Sequence, residues 1–64
     1  MSNDLLKYLA GKVQEEIKVM SDDLALGGAK DHGEYKYACG IIRGLMIASS
    51  ILADTAQRME TDDE

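Results

Sequence analysis

The 64-residue chain has few of the residues that small proteins use for cross-linking or for chemistry. Its single cysteine, Cys39, excludes a disulfide within the chain, and its single histidine, His32, leaves too few ligands for an ordinary zinc site. Proline, tryptophan and phenylalanine are absent. A chain this short buries only about 60% of its unfolded surface, so small domains usually add disulfides, a metal or a partner subunit. The composition therefore predicts a homo-oligomer.

Positive charge is also scarce, and the formal net charge is −5. Nucleic-acid-binding proteins carry a basic stripe, and anionic membrane surfaces attract basic segments, so we expect neither nucleic acid nor a membrane as a partner. The sequence begins without the basic and apolar regions of an export signal, and a free thiol suits a reducing compartment. These features predict a cytoplasmic protein.

The longest apolar stretch, residues 38–53, contains only one charge, that of Arg43. It is shorter than the roughly 18 to 20 residues that cross a bilayer. We therefore expect a helix that is buried in a protein assembly and does not enter a membrane.

The first half of the chain predicts a helix over about residues 4–26. Apolar residues recur there every three or four positions, which places them on one face of a helix. The predicted face consists of Leu5, Leu9, Val13, Ile17, Met20 and Leu24, widened by Leu6 and Ala10.

Residues 27–31 predict a turn. Gly27 and Gly28 can adopt the left-handed conformation in which many helices end, and Asp31 followed by Glu34 resembles a capping box at the start of the next helix. A connection this short makes the two helices antiparallel neighbours.

The second helix is predicted over about residues 32–60, followed by an acidic tail, residues 61–64, that we expect to be frayed. Its apolar positions alternate spacings of three and four, as in a heptad repeat. This seam reads Tyr35, Ala38, Ile42, Leu45, Ser49, Leu52, Ala56 and Met59. The predicted fold is all-α: one domain, residues 1–64, forming a two-helix antiparallel hairpin.

The second helix carries more apolar surface than one neighbouring helix can cover. Outside the seam lie further apolar and small residues, including Gly40, Gly44 and Ala48, whose four-residue spacing allows a close helix contact. A helix that is apolar nearly all round belongs in the middle of an assembly. We predict a dimeric four-helix bundle or a larger helical oligomer. The predicted interface residues are Tyr37, Gly40, Arg43, Gly44, Ile47 and Ile51.

No residue pattern in the chain indicates catalysis or a cofactor. Asp31, His32 and Glu34 cluster at the turn, where capping explains both acids. Cys39 has no histidine positioned to activate it and is expected to pack as a small apolar residue. Arg43 is expected to pair with an acid of the first helix or of a partner subunit. We therefore predict no catalytic, cofactor-binding or metal-binding residue and no enzyme activity.

Residues 29–45, AKDHGEYKYACGIIRGL, resemble a segment of short helical proteins from tailed bacteriophages. The shared features are an acidic turn, a Glu-Tyr pair and a Gly-x-x-Arg-Gly-Leu run on a helix. The resemblance covers about a quarter of the chain. It implies a phage context, with the protein in the bacterial cytoplasm or in the virion, and it implies no active-site residue.

Two functions fit these observations. The first is a non-enzymatic helical module that interacts with itself and with other proteins, such as a minor virion or assembly component. The second is a small acidic inhibitor or regulator that binds a host enzyme.

Overall fold

The computed structural model describes residues 2–62, which form two helices. Helix α1 spans Ser2–Ala25 and helix α2 spans His32–Asp62. Contacts between Lys7 and Glu60 and between Gln14 and Ser49 show that the helices run antiparallel. The Cα atoms extend over 51 × 15 × 11 Å, so the hairpin is a long, flat pair of helices. The predicted all-helical hairpin is confirmed.

Both helices extend further than the sequence predicted. Helix α1 begins at Ser2 instead of about residue 4, and α2 continues through Asp62 instead of ending near residue 60. The first half of the predicted acidic tail is therefore helical. Residues 63–64 lie outside the described residues.

The turn begins as the two glycines predict. Gly27 has a φ of 87°, which a residue with a side chain rarely adopts. The amide of Gly28 donates to the carbonyl of Asp23 at 2.9 Å, and the amide of Gly27 donates to the carbonyl of Leu24 at 3.1 Å. These two bonds form a Schellman motif, which satisfies carbonyl groups at the end of α1 and stops the helix.

The start of α2 is capped by the predicted acids. The amide of Glu34 donates to Oδ1 of Asp31 at 2.8 Å, and Oε1 of Glu34 accepts from the amide of Lys30 at 3.0 Å. In a standard capping box the second bond goes to the cap residue itself, whereas here it reaches one residue earlier. Both carboxylates are used to hold the turn.

The seam predicted for α2 faces α1 along its length. From Ala38 to Met59 every seam residue is half-buried or buried, and only Tyr35, next to the turn, is exposed. The face of α1 differs from the prediction, because Leu5 and Leu9 are exposed. The residues that pack on α2 are Leu6, Ala10, Val13, Ile17, Met20 and Leu24. This set alternates spacings of four and three throughout, so α1 follows the same heptad geometry as α2.

The hairpin alone has almost no interior. Among the described residues only Ala56 and Ser49 are buried, and no large side chain is fully buried. The accessible surface is 5030 Å². A compact monomeric protein of this mass exposes about 4,000 Å². The hairpin therefore leaves much of its apolar surface in contact with water.

Candidate interaction surface

The turn contains the residues most suggestive of chemistry, yet they form no metal site. No group of three or more His, Cys, Asp or Glu side chains that could hold a metal occurs among residues 2–62. The ring of His32 stacks on that of Tyr35, with 6.4 Å between centroids. Asp31 and Glu34 are engaged in capping, so these side chains have a structural role.

The polar contacts between the helices lie along one side of the hairpin, which we call the Met46 side. Lys7 pairs there with Glu60, whose hydrogen bond and negative charge raise the pKa of Lys7. One heptad further along α1, Nε2 of Gln14 donates to Oγ of Ser49 at 2.6 Å. Residues seven apart share a helix face, so Met46 lies on the same face of α2 as Glu60.

The opposite side of the hairpin, the Ile41 side, is located by a pocket near the turn. Asp23 of α1 lines this pocket together with Glu34 and Tyr37 of α2. Positions seven or fourteen residues from these three therefore lie on the same side. On α2 that set includes Ile41, Ala48 and Thr55, which follow Glu34, and Gly44, Ile51 and Arg58, which follow Tyr37.

Most of the exposed apolar residues are on the Ile41 side. On α1, Leu9 lies on the face of Asp23, and Leu5, Val19 and Leu26 lie beside it at seven-residue intervals. Val19 is 61% exposed, a high value for a valine within a helix. On this side α2 carries no charge between Glu34 and Arg58. The exposed large apolar residues on this side are Leu5, Leu9, Val19, Leu26, Tyr37, Ile41 and Ile51.

A shallow groove lies on the Met46 side of α2. It is lined by Cys39, Ile42, Arg43, Met46, Ile47 and Ser50. Cys39 is half-buried, as the packing role predicted, and its hydrogen bond and charge raise the pKa of the Tyr35 hydroxyl. The facing side of α1 carries polar residues, among them Gln14 and Lys18. The groove therefore has a largely apolar lining on α2 and polar residues of α1 beside it.

Arg43 does not make the bond predicted within the hairpin. Among residues 2–62 no carboxylate of α1 lies within ion-pairing distance of its guanidinium group. The expected pairing with an acid of the first helix is therefore wrong, because the exposed Arg43 lies on the outer surface of α2, away from α1. Pairing with a partner subunit stays a prediction.

The six predicted interface residues do not form one surface. Tyr37, Gly44 and Ile51 share the Ile41 side, whereas Arg43 and Ile47 line the groove. Gly40 lies on the outer face of α2, opposite α1. A Cβ atom added at Gly40 or Gly44 would meet nothing within 4 Å, so neither glycine is required by contact between α1 and α2.

The sequence predicts Leu5 and Leu9 in the core, but both lie on the exposed Ile41 side together with Val19. A sequence signal for this exists, because Leu5, Val19 and Leu26 are spaced by fourteen and seven residues, which separates them from the seam of α1.

Helix α2 also meets the length and composition of a membrane-spanning helix. Within His32–Glu60, an 18-residue stretch has a mean hydropathy of 1.4, and only 6% of that stretch is buried in the hairpin. The apolar stretch, residues 38–53, is shorter than the helix that contains it, because α2 continues beyond the stretch on both sides. The core helix of a soluble assembly has the same length and apolar composition. These properties therefore fit a helix surrounded by protein as well as one surrounded by lipid.

Comparisons with known proteins add no relative. No protein-family model, curated protein or solved structure matches the chain.

Proposed function

We propose that this protein is a non-enzymatic helical interaction module that completes its core by self-association, with α2 in the middle of a dimeric four-helix bundle. The observation that carries the proposal is the absence of any fully buried large side chain among residues 2–62. A pair of helices with complementary heptad seams and an uncovered apolar side is half of such a bundle.

The exposed area supports a partner of about the same size. The surface of 5030 Å² exceeds that of a compact monomer of this mass by about 1,000 Å². A standard protein interface buries about 800 Å² on each partner. Docking of a second hairpin therefore lowers the exposed surface of each chain to about that of a compact protein of this mass.

A lipid bilayer is the alternative environment for the apolar surface of α2. The packing and the charges of α1 argue against it. Insertion of α2 into a bilayer would strip Leu6, Val13 and Ile17 of their packing partners and would leave Ser49 without Gln14. Helix α1 cannot follow, because it carries Lys7, Lys12, Lys18 and several acids. The matched seams therefore favour a soluble assembly.

Cell fractionation distinguishes the two. The protein is expressed in bacteria, and membranes are washed with alkaline carbonate, which releases peripheral but not inserted proteins. We expect the protein in the soluble fraction, and as a dimer or larger species by size-exclusion chromatography with light scattering. Retention in carbonate-washed membranes would contradict the proposal.

For the biological context, we propose a minor virion or assembly component of a bacteriophage, located in the host cytoplasm or in the particle. The resemblance of residues 29–45 to phage proteins is the support. If this is correct, the protein copurifies with particles through a density gradient. Recovery only from the infected-cell lysate, bound to a host enzyme, would favour the acidic regulator instead.

A further inference from the structure

The Ile41 side of α2 has a symmetric pattern. Its residues are spaced by three, four, three, four, three, four and three positions, so the stripe reads the same in either direction about a midpoint between Gly44 and Ala48. The stripe consists of Glu34, Tyr37, Ile41, Gly44, Ala48, Ile51, Thr55 and Arg58. When a second copy is turned end for end, the isoleucines and the small residues meet residues of similar size, the charged ends meet opposite charges, and Tyr37 lies opposite the partner's Thr55.

The apolar part of the stripe is complementary to itself. In the reversed arrangement Ile41 lies opposite the partner's Ile51, and Gly44 lies opposite the partner's Ala48. The small residues at the centre allow the two α2 helices to approach closely, and the space beside Gly44 is open in the single hairpin. The larger isoleucines lie on either side of that contact.

The charged residues at the ends of the stripe match as well. Glu34 lies opposite the partner's Arg58. On α1, Lys12, Glu16 and Asp23 lie on the Ile41 side. The reversed copy places Lys12 opposite the partner's Asp23 and Glu16 opposite the partner's Val19. The Gln14–Ser49 bond fixes the two helices in a register that puts the midpoints of both stripes at nearly the same level. One two-fold axis therefore satisfies both pairs.

We propose that the partner is a second copy of this chain, docked Ile41 side to Ile41 side and turned end for end, with α2 against the partner's α2. This inference rests on the self-association proposed above and specifies its surface and direction. In the alternative dimer, with both turns at the same end, Asp23 and Glu34 of one copy would face the same acids of the other. Like charges at close range disfavour that arrangement.

Cross-linking between single-cysteine variants tests the direction. In the Cys39→Ser background, one variant carries Tyr37→Cys and the other Thr55→Cys, and the two are mixed under mild oxidation. In the end-for-end dimer position 37 lies opposite position 55, so a disulfide-linked heterodimer forms. Two copies of position 37 lie about 27 Å apart, at 1.5 Å of rise per residue, and each variant alone gives no cross-link.

A second pair of variants tests the surface. Ile51→Lys alters the Ile41 side and Met46→Lys alters the Met46 side; the two residues are 59% and 57% exposed in the hairpin. Each substitution adds one positive charge to an acidic chain, so general repulsion between copies falls equally in both. For Ile51→Lys, which lies opposite the partner's Ile41, we expect self-association to weaken at least about tenfold, the effect of about 1.4 kcal/mol, and for Met46→Lys we expect little change.

The outcomes separate this inference from the proposed function. A wild-type dimer that gives no heterodimer cross-link, or that is weakened only by Met46→Lys, would overturn the docking mode and leave self-association standing. A wild-type monomer would overturn both. Circular dichroism of each variant establishes that it remains helical, so that loss of association is not mistaken for unfolding.

Discussion

Gln14 and Ser49 form a hydrogen bond between side chains of the two helices, with 2.6 Å between Nε2 and Oγ. Ser49 is the polar residue of the α2 seam and is only 5% exposed. A buried polar group stabilises one arrangement of neighbours over others, because any shift that removes its partner leaves it unsatisfied. The pair therefore fixes how α1 and α2 align, and with them the two stripes of the Ile41 side.

A double-mutant cycle on this pair measures its contribution. We expect Gln14→Ala and Ser49→Ala to be coupled by about 0.5 to 1.5 kcal/mol in the free energy of unfolding, measured by denaturant titration at fixed protein concentration. The neighbouring exposed Ser50 supplies a control, since Ser50→Ala should change stability by less than about 0.5 kcal/mol. Equal effects at positions 49 and 50 would show that the bond has no role in stability.

The core seam is tested by one charge placed on either face of α2. Leu45 is half-buried in the seam, so Leu45→Asp introduces an unpaired carboxylate there and should cost several kcal/mol, enough to unfold the hairpin. Lys36 is exposed, and Lys36→Asp should be nearly silent. Far-ultraviolet circular dichroism checks both variants. The same loss of helical signal in each would contradict the assignment of faces.

The substitution Gly44→Ala tests whether Gly44 lies in a close contact between helices or is a glycine that the helix merely tolerates. In the single hairpin nothing lies within 4 Å of an added Cβ, so helix propensity alone predicts that Gly44→Ala stabilises by about 0.5 to 1 kcal/mol. If the residue faces the partner's Ala48, the added methyl group overpacks the interface at a cost of about 1 to 3 kcal/mol. We expect destabilisation and weaker self-association.

Gly11 is the matched control for that substitution. It also lies within a helix and also has nothing within 4 Å of an added Cβ, but it is seven residues from Lys18, on the Met46 side of α1. Gly11→Ala should raise the melting temperature at fixed protein concentration, whereas Gly44→Ala should lower it. A rise for both would remove the support that Gly44 gives to a close crossing.

The turn depends on Gly27. With a φ of 87°, Gly27→Ala forces a side chain into the left-handed region and should cost about 1 kcal/mol, measured as a lower midpoint in thermal unfolding. Gly33→Ala, in the first turn of α2, serves as the comparison, because an added Cβ there meets only Oδ1 of Asp31 at an ordinary 3.4 Å. Equal destabilisation would show that the turn tolerates other conformations.

The sequence predicted the hairpin because its signals are local. Glycines and capping acids mark the turn, and the heptad spacing of α2 identifies the residues that meet α1. It was harder to predict which apolar residues of α1 face α2 and which are exposed. Leu5 and Leu6 are adjacent leucines, and a stripe of apolar residues can begin at either one. The pairing with α2 selects Leu6, which is half-buried, and leaves Leu5 exposed. The packed residues then follow alternating spacings of four and three from Leu24 back to Leu6.

The side of the hairpin on which each exposed apolar residue lies was predicted less well, for a related reason. The periodicity of one helix shows which apolar residues lie outside its seam. It does not show on which side of the hairpin those residues lie. Arg43 and Gly44 are adjacent in sequence, yet they lie on different sides once α1 is in place. The three-dimensional pairing of the helices, located by Asp23 and Tyr37 near the turn, was needed to separate them.

Sedimentation equilibrium of the wild-type chain at micromolar concentrations tests the central claim, that the hairpin completes its core with another copy of itself. One chain has a mass of 7.0 kDa. We expect a species of at least twice that mass, with a melting temperature that rises with protein concentration as mass action requires. A folded species with the mass of one chain throughout this range, with a concentration-independent melting temperature, would contradict the account.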